Sequence, residues 1–177
     1  MSILKPKKLK ITIITVTYNN EKTIKTALNS VKNQTYKEIE HIIIDGNSAD
    51  KTVSIAKQYS YVNKIISEPD GGIYDAMNKG INIASGDIIG FLNSDDFYVR
   101  DDVLSSVGIF DNNSSLEACY ADLIYVDQLD ISKKKRYCKS TKFMHGLFAK
   151  GWCPPHPIFF VRRSVYERFG LFNLRSA

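Results

Sequence analysis

The chain opens with a regular alternation of apolar runs, polar loops and amphipathic stretches. Ile11 to Val16 is a short β-branched run, and Thr17-Tyr18-Asn19-Asn20 follows it as a polar loop. Ile24, Ala27, Leu28 and Val31 then fall at i, i+3, i+4 and i+7, the spacing of one helix face. His41 to Ile44 predicts a second strand ending at Asp45-Gly46-Asn47-Ser48. Ser48 or Asp50 is placed to cap a helix carrying Val53, Ile55, Ala56 and Tyr59. Lys64 to Ser67 predicts a third strand and Asp70-Gly71-Gly72 a tight turn. Ile73 to Ala84 predicts a helix ended near Gly86, and Ile88 to Leu92 a buried fourth strand. This βαβαβαβ rhythm predicts an α/β fold, with a mainly parallel central sheet flanked by helices on both faces.

Beyond Asp101 the pattern changes. Val103, Leu104, Val107 and Phe110 predict a helix. Ala118 to Val126 predicts a strand that pairs, across residues 127–135, with a return near Arg136 to Ser140. Three prolines in Trp152-Cys153-Pro154-Pro155-His156-Pro157 remove three amide donors and predict an irregular loop. Ile158 to Val161 reads as a short strand and Ser164 to Phe169 as a helix. No internal repeat or low-complexity linker interrupts the chain, which is expected to form a single domain over residues 1–177.

Composition narrows the classes. A length of 177 residues, 44% hydrophobic and 24% charged, suits one globular domain with a real core. No apolar stretch approaches a membrane span, and the Lys-rich start lacks a signal peptide's apolar region, so a cytoplasmic location is expected. Three cysteines without CxxC spacing argue against a disulfide framework or a zinc site. The net charge of +5 gathers in Lys5, Lys7, Lys8 and Lys10 and again in Lys133, Lys134, Lys135 and Arg136. The first group reads as a solvated arm and the second as a hairpin tip; both also suit anionic phospholipid headgroups at the inner membrane. Nucleic acid is not an expected partner.

The candidate chemistry sits at strand ends. Asn93-Ser94-Asp95-Asp96 directly follows the fourth apolar run. Two adjacent carboxylates repel unless something positive sits beside them, and a divalent cation with substrate phosphates is the usual remedy. The competing reading is an ordinary turn and helix cap. Thr17-Tyr18-Asn19, Asp45 and Glu68-Asp70-Gly71-Gly72 follow the first three strands, so a parallel sheet brings all four polar groups to one edge.

These segments resemble a known family. Ile13-Ile14-Thr15-Val16-Thr17-Tyr18-Asn19, Ile44-Asp45-Gly46-Asn47-Ser48-Ala49-Asp50-Lys51-Thr52, Asp70-Gly71-Gly72-Ile73-Tyr74-Asp75-Ala76-Met77-Asn78-Lys79-Gly80 and the segment from Ala84 to Asp96 look like those of family 2 glycosyltransferases with the GT-A nucleotide-sugar-binding fold. The third segment is similar to bacterial enzymes that build surface polysaccharides. The resemblance implies a nucleotide-sugar-binding part over residues 1–100 and a smaller, antiparallel acceptor-side part over 101–177. It places Thr17, Tyr18 and Asn19 in the nucleotide pocket and Asp45 on a uracil-type base edge, the alternative for Asp45 being a turn cap. Asp70 and Gly71 would lie near base or diphosphate, and Asn78 and Lys79 would face the donor; an exposed helix lysine is the alternative for Lys79. Asn93 and Ser94 would meet the donor, Asn93 at the ribose. Asp95 would bind Mn2+ or Mg2+, with Asp96 supporting the metal or the sugar.

Two positions depart from the family pattern: Asn93 stands where an Asp is usual, and Met77 where an Arg is frequent. The implied reaction is inverting transfer from a nucleotide-diphosphate sugar, a UDP-sugar by expectation, to a glycan or lipid-linked acceptor. The family's base follows a segment like Ser164 to Asn173, so the base is expected beyond Ala177, and residues 1–177 are expected to bind donor but transfer poorly. His156 is a candidate metal ligand or acceptor contact, or else a loop histidine beside Trp152. Trp152 is a candidate stacking surface for an acceptor sugar or a core anchor, and Asp122 a candidate acceptor contact or a buried turn. Two other classes stay open: a nucleotidyltransferase, which would want a glycine-rich basic loop after the first strand, and a noncatalytic module binding nucleotide-sugars or anionic polymers.

Overall fold

A computed structural model describes residues 8–174, so Lys5 and Lys7 lie outside the described residues. Strands β1 (Ile11–Thr17), β2 (Ile39–Asp45), β3 (Lys64–Ser67) and β4 (Ile88–Phe91) alternate with helices α1 (Ile24–Lys32), α2 (Thr52–Ala56) and α3 (Ile73–Ile83). Helix α4 (Val103–Ser106) is followed by strands β5 (Ala118–Tyr120), β6 (Leu123–Val126), β7 (Lys134–Cys138) and β8 (Phe159–Arg162), and then by helix α5 (Arg163–Phe169). Six strands form one sheet in the order β3-β2-β1-β4-β8-β5, while β6 and β7 form a separate antiparallel ribbon. β1 to β4 are mutually parallel, and β8 runs antiparallel to both β4 and β5.

The pleat explains the layers. Ile14 and Val16 of β1, Ile42 and Ile44 of β2, and Ile89 and Phe91 of β4 meet Ala76, Met77 and Ile81 of α3. On the other face, Ile11, Ile13 and Ile88 pack on Ala27 and Val31 of α1, while Ile43 meets Ile24, Leu28 and Ala56. Each fully buried aliphatic side chain contributes about 1.5–3 kcal/mol. Gly80 lets α3 approach β1 closely, since a Cβ there would lie 2.5 Å from Ile14 Cγ2.

The strand order creates the functional edge. The chain leaves β1 for β2 on one side, then crosses back from β3 to β4 on the other. The loops after β1 and β4 therefore diverge at the carboxyl edge and open a crevice, the place where open α/β sheets bind ligands. The antiparallel β8 brings its amino end, with His156 just before it, to the same edge; β5 brings its carboxyl end, followed by Asp122.

Several expectations are corrected. The strand predicted over Ala118 to Val126 breaks at Ala121-Asp122 into β5 and β6, which join different sheets. Asp122 holds this break by accepting hydrogen bonds from Tyr137 and from the Ser140 amide and hydroxyl. The returning strand starts earlier than predicted, so Lys134, Lys135 and Arg136 lie within β7 and only Lys133 remains at the tip. Lys10 is no free arm: its ammonium meets Ser85 Oγ at 2.8 Å and Glu40 at 3.6 Å.

The helix predicted through Phe110 turns 3-10 at Val107, a pitch that keeps the buried Leu104, Val107 and Phe110, three residues apart, in line on one face. Helix α2 is short, leaving Tyr59 outside. Asp50 accepts hydrogen bonds from the Thr52 amide and hydroxyl at its start, whereas Ser48 is spent on Asp45. The proline-rich loop carries a 3-10 turn over His156–Ile158, which delays β8 to Phe159.

Candidate functional site

The crevice between β1 and β4 is a pocket of about 250 Å³ lined by Val16, Thr17, Tyr18, Asn20, Asp70, Ile73, Ala76, Asn93, Ser94 and Asp95. Its floor is rigid. Ser94 is buried, its amide reaches the Val16 carbonyl at 3.3 Å, and its hydroxyl accepts a hydrogen bond from Asn20 Nδ2 at 2.7 Å. The Asn20 amide donates to Thr52 Oγ1 at 2.8 Å, so one residue ties the loops after β1, β2 and β4 together. Asn20 was not among the predicted site residues, although it stands in the predicted polar loop. Ile73 and Ala76 carry no polar signal that single them out.

Two of the residues lining this pocket carry a buried polar atom without a hydrogen-bond partner, Thr17 at Oγ1 and Asn93 at Oδ1. An unmet buried polar group costs about 1–3 kcal/mol, and each of these oxygens keeps hydrogen-bonding capacity that no protein group uses. Tyr18 is 63% exposed at the rim, with its ring close to Gly46. Asp70 reaches the same place: a Cβ on Gly46 would sit 2.8 Å from Asp70 Oδ2. Asp70 Oδ1 accepts the Gly72 amide at 2.9 Å, and Gly72, at φ 110°, makes the turn into α3 that a side chain would strain.

Asp95 is exposed and Asp96 half-buried. Burial and the neighbouring Asp95 charge push the Asp96 carboxyl up to about 6, partly offset by a hydrogen bond from the Asn93 side chain. Among the described residues no Lys or Arg forms an ion pair with Asp70, Asp95 or Asp96. Asp95 lines the crevice, while Asp96 lines with it the adjoining cleft beside Tyr98 and Ile158; uncompensated carboxylate oxygens of this kind fit Mg2+ or Mn2+. The described residues include no group of three His, Cys, Asp or Glu side chains placed to hold a metal, so His156 does not complete such a set with Asp95 and Asp96. The His156 ring instead packs edge-on to Tyr74 at 6.4 Å and to Phe172 at 6.1 Å, and burial pulls its pKa below the usual histidine value. It does not pair with Trp152, whose ring partners are Tyr120, Phe143 and Phe148.

Other predicted site residues are engaged elsewhere. Asp45 is fully buried, its carboxylate accepting hydrogen bonds from the Ser48 amide and hydroxyl and from Ser67 Oγ at 2.7 Å. That is the turn-capping role, and no edge of Asp45 reaches the pocket. Asn19 adopts φ 51° and links to the next loop: its amide donates to Ser48 Oγ and its Oδ1 accepts from the Ala49 amide. The Gly71 amide is held by Asp75 at 2.9 Å.

Asn78 clamps the Phe172 backbone with a reciprocal pair of 2.9 Å hydrogen bonds. Lys79 pairs with Glu68 at 3.0 Å and Asp75 at 3.5 Å and donates to the Pro69 carbonyl. Met77 is fully buried in the core, so neither residue supplies a basic contact to the pocket. Asp122 is exposed rather than buried; the Tyr137 hydroxyl, then the Ser140 hydroxyl and amide, pull its carboxyl down to about 2.

Comparison with known proteins agrees with this architecture. The model of the family described as Glycosyl transferase family 2 matches residues 12–170. A "PGL/p-HBAD biosynthesis glycosyltransferase" of Mycobacterium bovis is 31% identical over 167 residues, covering 92% of this chain and 63% of that protein. A "Putative glycosyltransferase EpsH" of Bacillus subtilis is 37% identical over 94 residues, 51% of this chain and 27% of that protein. The chain thus spans less than two thirds of the length of these curated relatives. Among solved structures, S. aureus TarS superposes with a TM-score of 0.76 at 20% identity, covering 94% of this chain and 31% of that one. The mannosyltransferase PcManGT from Pyrobaculum calidifontis, in complex with GDP-Man and Mn2+, superposes at 0.71 and 20% identity, covering 95% and 48%. At that identity the likeness establishes the GT-A fold, and with the family match over residues 12–170 it shows that the chain belongs to glycosyl transferase family 2.

Proposed function

We infer that this chain is the donor-binding part of a glycosyltransferase that moves a sugar from a nucleotide-diphosphate sugar to a glycan or lipid-linked acceptor in cell-surface polysaccharide synthesis. The observation that carries the reading is the β1–β4 crevice, where the unpartnered Thr17 Oγ1 and Asn93 Oδ1 share a pocket with Asp95. The exposed Tyr18 ring offers a stacking face for a nucleobase, and Asp70 a polar edge beside it. A ribose hydroxyl donates to Asn93 Oδ1, which an amide serves as well as a carboxylate does. UDP is the preferred nucleotide. A crystal structure of S. aureus TarS 1–349 in complex with UDP shares the fold at a TM-score of 0.71.

Asp95 and Asp96 are the residues that would hold Mn2+ or Mg2+. When bound, the cation supplies charge neutralisation for the departing nucleoside diphosphate. The protein's own part is positioning: it fixes the nucleotide between the β1 and β4 loops and turns the anomeric carbon toward the acceptor-side edge formed by β5 and β8. Inversion then requires a carboxylate base. Asp122 is poorly suited, since its three donors stabilise the ionised form and leave it weakly basic.

A nucleotidyltransferase reading finds no support in the loop Thr17-Tyr18-Asn19-Asn20, which is neither glycine-rich nor basic. Amide NMR titration with UDP and GDP tests the proposal. Shifts confined to residues 17–20, 70–73 and 93–96 are expected; shifts absent there, or spread over the β6–β7 ribbon, would overturn it.

A further inference from the structure

Charge is distributed unevenly along the chain. From Ile131 to Tyr166 there is no Asp or Glu, against nine Lys or Arg. Within this stretch, Lys133 and Lys135 pair back to Asp130 and Asp127. Lys134, Arg136, Lys139, Lys142 and Lys150 form no ion pair among the described residues, and all five are exposed.

Between Lys142 and Lys150 the surface turns apolar. Phe143 is 41%, Met144 63% and Phe148 57% exposed. These side chains are held outward by a defined loop. Gly146 and Gly151 take positive φ on either side of a 3-10 turn at Phe148–Lys150, and the Trp152 amide closes the loop on the Leu147 carbonyl at 3.1 Å. Phe143, Phe148 and Trp152 form a triangle of rings with centroids 5.6–6.2 Å apart, and Trp152 anchors it to Tyr120 of β5 at 5.4 Å.

We propose that the loop around Phe143 to Lys150 is a docking surface for an anionic phospholipid bilayer. Phe143, Met144 and Phe148 enter the interfacial layer while Lys142 and Lys150 meet lipid phosphates. Aromatic and aliphatic side chains flanked by lysines suit that boundary, where apolar burial and attraction to anionic headgroups act together. The loop from Lys142 to Lys150 itself carries no acid, and the nearest acids placed against the stretch, Asp122, Asp127 and Asp130, are bonded to Tyr137, Ser140, Lys135 and Lys133 on the adjoining ribbon. The surface hangs from β5, at the acceptor-side edge, so docking would present that edge to a lipid-borne acceptor. The docking itself does not depend on the donor reading.

Vesicle co-flotation of the chain tests it, using phosphatidylcholine vesicles with and without phosphatidylglycerol. Binding is expected only with phosphatidylglycerol and should weaken with added salt. Lys142→Glu with Lys150→Glu should reduce it about tenfold or more, and so should Phe143→Ser with Phe148→Ser. All four positions are exposed, and an unchanged melting temperature would confirm that each double variant is folded. No binding to phosphatidylglycerol vesicles would overturn the proposal. Binding that needs the lysines but is indifferent to the phenylalanine pair would overturn it too, and would identify a soluble polyanion site.

Discussion

Thr17 and Asn93 carry the two unpartnered oxygens on which the donor reading turns. Thr17→Val keeps the shape and removes a hydroxyl that no protein group satisfies. It should leave stability unchanged or raise it by about 1 kcal/mol while weakening nucleotide binding about fivefold, measured by thermal melting and calorimetry on the same sample. Charge at single residues sets the acid response. The fully buried His41 ring accepts from Thr15 at Nε2 (2.9 Å) and donates from Nδ1 to Tyr61 (3.1 Å), whose hydroxyl donates to Leu28. Neutral imidazole satisfies this chain, and burial lowers its pKa to about 3. The unfolded chain therefore binds more protons below about pH 6.5, and stability is lost as pH falls from there toward 3. Asp96 works in the opposite sense. Its raised value near 6 makes the folded state the better proton binder, so stability falls as pH rises from about 4 to 6. Asp96→Asn in EDTA should therefore stabilise the protein at pH 7 by about 1–2 kcal/mol, discounted for partial exposure, and lose that advantage at pH 4. In that variant the His41 contribution is unopposed, and melting should show a steeper loss below pH 6.5.

Helix α3 does two jobs: its Gly80 face lies against β1 and its Asn78 side chain holds the segment at Phe172. Gly80→Ala gains about 1 kcal/mol of helix propensity but drives a methyl into Ile14, and should be destabilising overall by about 1–2 kcal/mol in denaturant melts. Asn78→Ala should free the Phe172 amide to exchange with solvent while leaving nucleotide affinity unchanged, read by hydrogen exchange and calorimetry. A drop in affinity instead would return Asn78 to the donor site. The parallel half was readable because its three central strands are rich in β-branched apolar residues and buried on both faces, β4 without a polar residue. The second half was less so. Ala118 to Val126 has no charged interruption except Asp122, and only tertiary hydrogen bonds from Tyr137 and Ser140 reveal that the chain changes sheets there.

Across the whole molecule, parallel order alone brings the loops after β1, β3 and β4 into one pocket, so Thr17, Tyr18, Asp70, Asn93, Ser94 and Asp95 were legible as a group. The turn cap at Asp45 was one of the two readings open to the sequence and is the one its bonds to Ser48 fit, whereas the bonds of Asp45 to Ser67, Asn78 to Phe172 and Lys79 to Glu68 join partners that sequence spacing does not single out. The central claim is that the β1–β4 crevice binds a nucleoside diphosphate through a cation held by Asp95 and Asp96. Calorimetric titration of UDP and GDP, first with Mn2+ and then with EDTA, tests it most directly. The account predicts that one nucleotide binds at least about tenfold more tightly with Mn2+, and that Asp95→Ala abolishes the difference. Equal binding in Mn2+ and EDTA, or binding indifferent to Asp95→Ala, would contradict it.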